Sequence, residues 1–394
     1  MTRQHFSTII VGRGLMGSAA ARHLAGMQEG VAVVGPGEPE DKASHEGVFG
    51  SHYDEGRITR TIDRDPVWAR LANRSIARYR DIERDSGVTF FTEAGALIAG
   101  PARSRGRYLE TILAAAAACE APAELVEAPE TRFPCFAFAP KTEAVYETTN
   151  AGHISPRRLV AAQSLLAERA GASVIAAAVT KVAERGGRVS VETDDGQSLT
   201  ADTALVAAGG FTINENLLPA RIALTVYART VAFFEISEAE AAALHGMPSL
   251  IYRPEVDAHG IYLLPPIRYP DGRYYIKIGG DPDDMALADE AAIRTWFRSE
   301  GRVSTREHLT RILCALMPKI RVLSTTTGTC VTSFSPSGYP MIGFSPSPRI
   351  AVLTAGNGAA AKSSDEIGRL GAVLMHRGTL REEGYGNVFA PAFL

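Results

Sequence analysis

Short apolar runs and helical periodicity alternate at the start of the chain. Residues 7–11 (STIIV) form an apolar, β-branched run bounded by glycine, which predicts a strand buried on both faces. Residues 14–26 have apolar positions at helical spacing, and residues 30–35 (GVAVVG) repeat the strand pattern. A strand, a glycine-rich turn, a helix and a second strand at this spacing predict a βαβ unit.

Amphipathic patterns farther along the chain predict more helices. The predicted helices are residues 67–87, 113–125, 155–172 and two helices within 289–318. Segment 113–125 looks apolar, but it is short, alanine-rich and contains acidic residues, so we predict a helix and not a membrane span. In segment 155–172, Ser155 is the predicted N-cap and Pro156 occupies the first helical position.

Strand patterns dominate most of the remaining sequence. Turns reading RGG and DDGQ separate strands after residue 173, residues 226–285 are β-rich, and the last part of the chain returns to short strands and one helix. We therefore predict an α/β (α+β) fold in which a β-rich domain is inserted into a Rossmann-type nucleotide-binding domain. The predicted segments are 1–85, 150–225 and 325–394 for the nucleotide-binding domain, and 86–149 and 226–324 for the β-rich domain.

The composition is that of an ordinary globular protein. The 394 residues are 45% hydrophobic and carry a formal net charge of −3, which argues against a large basic surface for nucleic acid or anionic membrane. The four cysteines form neither a disulfide framework nor a CxxC metal pair, and they suit a reducing cytoplasm. The N-terminus lacks the pattern of a signal peptide, and no apolar run approaches about 18 residues. We predict a cytoplasmic protein without a membrane span, a metal or a nucleic-acid partner.

The sequence GRGLMG supplies Gly12, Gly14 and Gly17 directly after the first strand. In a GxGxxG motif the first glycine permits the tight turn, the second lets the backbone approach a pyrophosphate, and the third allows close helix–strand packing. The N-terminus of the following helix stabilises phosphate charge. The motif therefore predicts a dinucleotide site, with a ligand-free glycine turn as the alternative.

One feature of such sites is missing. An acidic residue about twenty positions after the motif normally binds the ribose hydroxyls, but Gly35 stands at this position. Glu38 and Glu40 in the following loop are candidate substitutes, and no arginine cluster indicates a 2′-phosphate. The motif alone leaves the identity of the dinucleotide open.

The loop FGSHYDEGRITR (49–60) places Ser51, His52, Arg57 and Arg60 close together. A charged run of this kind is usually a solvated surface. Here the two arginines flank Ile58, which indicates an ordered segment in which Arg60 is able to bind a carboxylate in a bidentate manner.

Four segments occur in the order typical of one enzyme family, and they read GRGLMGSAAARHL, GSHYDEGRITR, GRYYIKIGG and TGTCVTSFSPSGYPMIG. In these segments the chain resembles the monomeric sarcosine oxidase family. That family includes N-methyltryptophan oxidase and the fructosyl amino acid oxidases, within the D-amino-acid oxidase superfamily of flavoproteins. The resemblance spans essentially the whole chain, and its most discriminating parts are the Gly-Ser-His…Arg-x-x-Arg loop and the late cysteine.

The resemblance implies that the nucleotide is FAD, attached through a thioether to Cys330. The alternative is an inert cysteine, since free cysteine is among the most buried residue types. The residues that the resemblance and the motif together assign to cofactor binding are Gly12, Gly14, Leu15, Met16, Gly17, Ser51, Arg57, Val179, Gly209, Cys330, Gly358 and Lys362.

The resemblance also implies four catalytic residues. Lys277 is expected to lie over the flavin and to promote its reaction with oxygen, because a fixed cation stabilises superoxide as it forms; a solvated strand lysine is the alternative. Lys362 and Arg60 are expected to hold the substrate carboxylate, with a helix-surface lysine as the alternative for Lys362. His52 is a candidate hydrogen-bond donor to flavin or substrate, and equally a candidate structural histidine.

The sequence departs from the family at three places. Thr332 replaces an aromatic residue common in the sarcosine oxidases, and the glycine-rich segment before Lys362 is shorter and reads GNGAAA. Asp281 falls where sarcosine oxidase carries an active-site histidine, and an acid there would repel a carboxylate or attract a cationic amine. The substrate is therefore predicted to differ from sarcosine.

We predict an FAD-dependent oxidase of a secondary amine, either an N-alkyl or a cyclic α-amino acid, that transfers a hydride to flavin and reduces oxygen to hydrogen peroxide. The expected partners are a small-molecule amine and oxygen, and the expected assembly is a monomer or a small homo-oligomer. Two alternatives remain: a flavin dehydrogenase that uses another electron acceptor, and a flavin-retaining protein without catalytic activity.

Overall fold

The computed structural model describes residues 4–102, 108–256 and 259–394. The strands in chain order are β1 (His5–Val11), β2 (Val31–Val34), β3 (Arg57–Thr59), β4 (Phe91–Thr92), β5 (Ala96–Pro101), β6 (Ala123–Val126), β7 (Thr142–Glu147), β8 (Gly152–Ile154), β9 (Ser173–Ile175), β10 (Val179–Arg185), β11 (Arg188–Thr193), β12 (Ser198–Val206), β13 (Thr225–Ile236), β14 (Ser249–Tyr252), β15 (Ile261–Leu263), β16 (Ile267–Arg268), β17 (Tyr274–Gly279), β18 (Met285–Leu287), β19 (Val322–Phe334), β20 (Met341–Phe344) and β21 (Ile350–Thr354).

The helices alternate with these strands. In chain order they are α1 (Leu15–Ala25), α2 (Pro66–Ile76), α3 (Tyr79–Ser86), α4 (Tyr108–Ala118), α5 (Pro129–Arg132), α6 (Pro156–Arg169), α7 (Glu238–Ala243), α8 (Glu290–Arg298), α9 (Val303–Leu316) and α10 (Ser364–Arg377). The mixed α/β fold predicted from the sequence is confirmed.

The first sheet has a parallel centre with the order β9-β2-β1-β12-β21, and β10, β11 and β20 add antiparallel edges. The predicted βαβ unit is present as β1, α1 and β2, with Ile9 opposite Ala32. Helix α1 packs against α6 and α10. A Cβ added at Gly368 of α10 would lie 2.5 Å from Ala19 Cβ of α1, so the two helices cross at a glycine.

The second sheet is mainly antiparallel, with β13 paired along most of its length to β19 and on its other edge to β17 and β18. It also contains β5, β6 and β7, which come from residues 96–147. Residues 325–334, which we assigned to the nucleotide-binding domain, lie in β19 of this sheet. The division into domains stays a prediction.

A small third sheet, β3-β8-β4, lies outside the two large sheets. Strand β3 pairs antiparallel with β8, so that Arg57 lies opposite Ile154. Helix α6 begins just after β8, and the side chain of its N-cap Ser155 accepts a hydrogen bond from the backbone N–H of Arg158, as predicted. This sheet fixes the segment that carries Arg57 and Arg60.

The single helix predicted for residues 67–87 is wrong, because the chain forms α2 and α3 with a break at Ala77–Arg78. The N–H of Arg78 bonds to the Ser75 carbonyl three residues back, at 3.0 Å, which tightens and ends α2. The Arg78 guanidinium then forms ion pairs with the fully buried carboxylates of Asp365 and Glu366. These buried ion pairs explain why the helix is interrupted although the amphipathic pattern of the sequence continues.

The helix predicted for residues 113–125 is wrong in its second half. Helix α4 ends at Ala118, and residues 123–126 form β6 at the edge of the second sheet. Glu120 has a φ of +52°, in the left-handed region, and Pro122 supplies no backbone N–H for a helical hydrogen bond. In the ranges that the structure describes, no helix has both the length and the hydropathy of a membrane span.

Candidate active site

The glycine motif forms a cradle between β1 and α1. Gly12 has a φ of +105°, and a Cβ there would lie 2.4 Å from the Ala207 carbonyl oxygen. A Cβ at Gly17 would lie 1.9 Å from the Gly12 carbonyl oxygen, whereas a Cβ at Gly14 would have no atom nearer than 3.7 Å. The first turn of α1 has no acidic residue, and its N-cap Gly14 has no side-chain cap. The open side of Gly14 and the free helix N-terminus together suit a pyrophosphate.

A cavity of about 300 Å³ runs from this cradle to β19. It contains most of the cofactor residues that the sequence predicted, and the predicted residues in its wall are Gly12, Gly14, Leu15, Met16, Ser51, His52, Arg57, Val179, Gly209, Cys330 and Gly358. Gly17 packs behind the wall against Gly12. Lys277, Arg60 and Lys362 lie outside the wall, in two clusters beside it.

Cys330 lies at the far end of this cavity, on β19 opposite Arg229. Its thiol is free and half-buried, and the Trp296 indole N–H donates to its backbone carbonyl at 2.9 Å. Thr332, two positions on, shares the strand face of Cys330 and also lines the cavity. The Thr332 hydroxyl is buried and has no hydrogen-bond partner among the described residues, so it is available to a ligand in the cavity.

The position of the missing ribose-binding acid is occupied by backbone. A Cβ at Gly35 would lie 2.7 Å from the backbone nitrogen of Arg13, so a side chain there would displace the glycine motif. Glu38, one of the candidate substitutes, forms two ion-pair contacts of 2.7 Å with Arg157. The guanidinium of Arg13 bonds weakly to the Pro36 carbonyl at 3.4 Å and lines the cavity at this end.

His52 is an uncharged residue of the cavity wall. Burial lowers the pKa of His52 to about 3, and the Arg13, Arg157 and Arg57 guanidinium groups act in the same direction. A neutral imidazole at this place can donate or accept one hydrogen bond, but it carries no charge to a substrate.

Lys277, Asp54, Arg57 and Tyr269 form the first of two charged clusters, which we call the Lys277 cluster. The Lys277 ammonium and the Arg57 guanidinium both form ion pairs with Oδ2 of Asp54. Oδ1 of the same carboxylate accepts the Tyr269 hydroxyl at 2.9 Å and the Glu55 N–H at 2.8 Å. The Lys277 Nζ atom also donates to the Gly56 carbonyl at 2.9 Å, and the Lys277 side chain is fully buried. The alternative of a solvated strand lysine is therefore excluded for Lys277.

Lys362, Arg60 and Asp63 form the second cluster, which we call the Lys362 cluster. Oδ2 of Asp63 lies 3.0 Å from Nη1 of Arg60 and 3.3 Å from Nζ of Lys362, so one internal carboxylate bridges the two cations. The Lys362 ammonium is buried, and apart from this ion pair its N–H groups have no hydrogen-bond partner among the described residues. The Trp68 ring lies 5.6 Å from it, and the Tyr79 hydroxyl holds the Lys362 backbone carbonyl at 2.7 Å. Lys362 is therefore no surface lysine.

Burial and neighbouring charges shift the pKa values of Lys362 and Asp63. Burial and the Arg60 guanidinium lower the pKa of Lys362 to about 8, against the opposing effect of Asp63. Burial tends to raise the pKa of Asp63, but the two cations outweigh it and lower that pKa below its ordinary value. Behind the cluster, Glu147 accepts the backbone N–H groups of Thr61 and Ile62, which fixes the chain just after Arg60.

The two clusters lie on opposite faces of one extended segment. Arg57 begins β3 and Arg60 follows its last residue, and residues an odd number of positions apart in an extended chain point to opposite faces. Each arginine contacts its own aspartate, Asp54 in one cluster and Asp63 in the other. The segment therefore supplies one guanidinium to each side.

A second cavity, of about 420 Å³, lies beside the Lys277 cluster. Asp54, Tyr269, Phe233 and Tyr275 line it, and it shares Arg57, Cys330 and several loop residues with the first cavity. Cys330 thus stands in the wall between the two cavities.

Three residues of these clusters were not predicted from the sequence, namely Asp54, Asp63 and Tyr269. Asp54 lies within the loop from which four other residues were selected, and Asp63 is three positions after Arg60. The available signal was an acid close in sequence to each arginine. Tyr269 has no such local signal, because only the fold brings it to Asp54. Asp281, conversely, is bound by the Arg302 guanidinium and the Thr230 N–H, so its carboxylate serves the structure of the second sheet.

Comparison with known proteins identifies the family of the chain. The family model described as FAD dependent oxidoreductase (DAO) matches residues 7–374. The chain belongs to this family of FAD-dependent oxidoreductases. A monomeric sarcosine oxidase from Bacillus sp. (strain B-0618) is 29% identical over 280 residues, which cover 69% of this chain and 65% of that protein, slightly under two thirds of its length. The resemblance to the monomeric sarcosine oxidases is confirmed.

Solved structures of two other enzymes share the fold across nearly the whole chain. NikD, an amino acid oxidase essential for nikkomycin biosynthesis, superposes with a TM-score of 0.78 at 21% identity over 99% of this chain and 98% of that chain. L-proline dehydrogenase from P. horikoshii gives a TM-score of 0.77 at 15% identity over 98% and 97% of the two chains. At these identities the likeness shows the fold.

The residues of the first cavity fit the FAD of this family. The glycine cradle leaves room for a pyrophosphate where a Cβ at Gly14 would point, and the α1 N-terminus faces it. The unpartnered Thr332 hydroxyl lies at the other end, next to Cys330. Gly35 and Arg13 line the part of the cavity that would hold the adenosine of FAD, and there they replace an acid with backbone and a guanidinium.

Proposed function

We propose that this protein is an FAD-dependent amine oxidase whose substrate is a secondary amine with a carboxylate, of the N-alkyl or cyclic α-amino acid class. The observation that carries the proposal is the buried Lys362 ammonium beside the Arg60 guanidinium. Among the described residues its one acidic partner is the Asp63 carboxylate at 3.3 Å, which Arg60 shares, and its N–H groups make no hydrogen bond of good geometry. Unused donors on a buried cation are costly. A substrate carboxylate supplies acceptors for them.

When bound, FAD would take a hydride from the carbon next to the substrate nitrogen and pass two electrons to dioxygen, so that amine and O2 become imine and hydrogen peroxide. The second proton of the peroxide comes from the substrate nitrogen, and water hydrolyses the imine. The residues of the chain contribute orientation and electrostatics. Arg60 and Lys362 hold the carboxylate end, so that the carbon–hydrogen bond faces the cavity.

Lys277 is the proposed cation for the reaction with oxygen. A positive charge fixed in a buried site stabilises the negative charge that develops on dioxygen as it accepts the first electron. The Lys277 cluster supports this role, because Lys277 is fully buried, held by two acceptors, and next to a cavity on the side opposite the Lys362 cluster. His52, neutral and in the wall of the first cavity, is the proposed hydrogen-bonding neighbour of the flavin.

Cys330 is the proposed point of covalent attachment. It is the one cysteine in the wall of the described cavity, and Cys119, Cys135 and Cys314 lie elsewhere. We also keep as predictions a cytoplasmic location, which the free cysteines suit, and a monomeric or small homo-oligomeric state.

The test is anaerobic mixing of the purified protein with a panel of N-methyl amino acids and cyclic imino acids. We expect the visible flavin absorbance to bleach with the carboxylates and not with the matching amines that lack the carboxylate. Admission of air should restore the colour and produce hydrogen peroxide. Bleaching without peroxide would instead assign a dehydrogenase, and no bleaching by any member would overturn the proposal.

The attachment has its own test. After acid precipitation, a covalent flavin stays yellow in the redissolved pellet, and Cys330→Ala should move the colour to the supernatant. A yellow supernatant from the unmodified protein would show that Cys330 only packs against the cofactor.

A further inference from the structure

Asp54 is the acid that none of the preceding roles uses, although it contacts the proposed oxygen-reactive lysine. The Asp54 side chain is 10% exposed, and it touches the Lys277 ammonium, the Arg57 guanidinium and the Tyr269 hydroxyl. Lys277 itself is 0% exposed. A fully buried ammonium beside a guanidinium needs a counter-ion, and Asp54 is the carboxylate in contact with both.

We propose that Asp54 is a positioning residue that keeps Lys277 in its ammonium form and so sustains the reaction of the reduced protein with dioxygen. The inference rests on the proposed function only in assigning Lys277 to that reaction. Lys277 does not give up its proton in this scheme, because the two protons of the peroxide come from the substrate as described above.

The surroundings of Lys277 explain why Asp54 is needed. Burial and the Arg57 guanidinium lower the pKa of Lys277, the ion pair with Asp54 opposes them, and Asp54 is the one acid in contact with Lys277 among the described residues. The Lys277 ammonium faces the rings of Phe233 and Tyr262, at 5.8 and 6.0 Å, and Cys330 is the nearby thiol. Neither ring brings a negative charge at neutral pH.

The neighbouring tyrosines stay uncharged across the useful pH range. Burial raises the pKa of Tyr262 to about 12, and burial raises the pKa of Tyr269 farther from its ordinary value. Removal of the Asp54 charge therefore leaves Lys277 and Arg57 as two adjacent cations without a counter-ion. Lys277 is the one of the two that can release its proton, because arginine stays protonated in proteins.

The first measurement is the denaturation midpoint of the holoprotein between pH 7 and 10, for the unmodified protein and for Asp54→Asn. In the unfolded chain Lys277 titrates near pH 10.4. If the folded variant holds Lys277 neutral, it binds one proton fewer than its unfolded form, and its stability rises with pH. We expect the unfolding equilibrium constant of Asp54→Asn, relative to the unmodified protein, to fall by up to tenfold per pH unit across this range.

Two controls isolate the effect. Asp271→Asn removes an exposed acid of the same second cavity, which bonds to Tyr275 and not to Lys277. It should follow the unmodified protein at every pH. The double variant Asp54→Asn/Lys277→Met lacks the titrating lysine, so the pH dependence of its stability should match that of Lys277→Met alone. Because both of these proteins contain Cys330, any contribution of its thiol cancels in this comparison.

The second measurement is the rate at which the dithionite-reduced protein is reoxidised by oxygen. Because this assay needs no amine substrate, it remains valid if the proposed function fails. In Asp54→Asn we expect the rate to fall as pH rises, with the high rate recovered below the lowered Lys277 pKa, whereas the unmodified protein should show no such midpoint between pH 6 and 9.

Each remaining result overturns the proposal. The reoxidation rate of the unmodified protein could itself show a midpoint between pH 6 and 9 that is absent in Lys277→Met. That result would mean that Asp54 does not keep Lys277 protonated, and it can be obtained even if the Asp54 variant does not fold. An Asp54→Asn protein with an unchanged pH profile, or with faster reoxidation at every pH, would mean that the carboxylate only screens Lys277.

Discussion

The Lys277 cluster and the Lys362 cluster use the same three residue types in opposite ways. Each contains a lysine, an arginine from the segment of β3, and an aspartate that bridges the two cations. In the Lys277 cluster the lysine has two acceptors, and the aspartate accepts two further hydrogen bonds. In the Lys362 cluster, within the part of the chain that the structure describes, the lysine has a single ion pair of 3.3 Å and no hydrogen bond of good geometry.

This difference separates a fixed charge from a binding charge. A lysine held in place by two acceptors can stabilise a small, transient anion by its field, without reorganising to meet it. A lysine with free donors is prepared for an acceptor that arrives with the substrate. From the sequence, both lysines are predicted to lie near a flavin. Only the hydrogen-bond partners of each ammonium distinguish the two.

The largest expected effect concerns the fixed charge. Lys277→Met should slow flavin reoxidation by oxygen on the order of 10²-fold or more, since removal of one preorganised electrostatic group costs about that much. Anaerobic reduction by substrate should change far less, because the Lys362 cluster is intact. Stopped-flow measurement of both half-reactions checks this. Equal slowing of the two would end the separation of roles.

The matching change on the other side is Lys362→Met. It leaves Arg60 and Asp63 in place but removes the free donors, and we expect about thirtyfold weaker binding of a carboxylate ligand, from roughly 2 kcal/mol for one partner of a buried charge pair. Titration with tetrahydrofuran-2-carboxylate, which has no N–H to oxidise, measures the Kd. The corresponding carboxamide is the control, and its affinity should not change. An equal loss for both ligands would assign Lys362 to packing.

The pH dependence of binding provides a graded test. Lys362 has a pKa of about 8 in the free protein, with Arg60, Asp63 and Glu147 as its charged or titratable neighbours. Its ammonium form is present below that pH and is lost as the pH rises through it. The Kd of the same carboxylate should therefore increase by up to about tenfold per pH unit above pH 8. In Lys362→Met the increase should disappear. A flat profile in the unmodified protein would contradict the assignment.

The smallest effect should have the opposite sign. Asp63 occupies both cations of the Lys362 cluster, so it competes with the substrate carboxylate for them. Because Asp63 helps to keep Lys362 protonated, this comparison is made at about pH 6, below the Lys362 pKa of about 8. There Asp63→Asn should tighten carboxylate binding by about fivefold, a modest relief of like-charge repulsion. The same ligand titration checks it, with Asp65→Asn as a nearby control, because Asp65 caps α2 and does not contact Lys362. Weaker binding in Asp63→Asn would mean that Asp63 orients the cations and does not compete.

The fold could be predicted from the sequence wherever a local sequence pattern is compatible with only one structure. The GxGxxG turn, the Ser155 cap and the flanking strands are such cases. The prediction failed at Ala77–Arg78 and after Ala118, where a helix ends although its sequence pattern continues. In the first case the cause is a buried ion pair, and in the second it is a left-handed residue followed by a proline. Long-range partners of this kind have no local signal.

The site shows the same division. Residues of the glycine motif, of the loop and of β19 meet in one cavity because each lies at an end or edge that the βαβ topology brings together. The roles of Asp54 and Asp63 depend on which atom each carboxylate touches. Tyr269 reaches Asp54 across 215 positions of the chain, a contact that spacing alone does not predict.

The odd spacing between Arg57 and Arg60 also bears on the order of events in turnover. Because the two guanidinium groups face opposite sides of one strand, the amine and the oxidant would approach the cofactor from different directions and would not exclude each other. Oxygen could then react while the imine is still bound, so that the steady-state rate laws would show intersecting lines for the two substrates, and the release of product would not have to precede reoxidation.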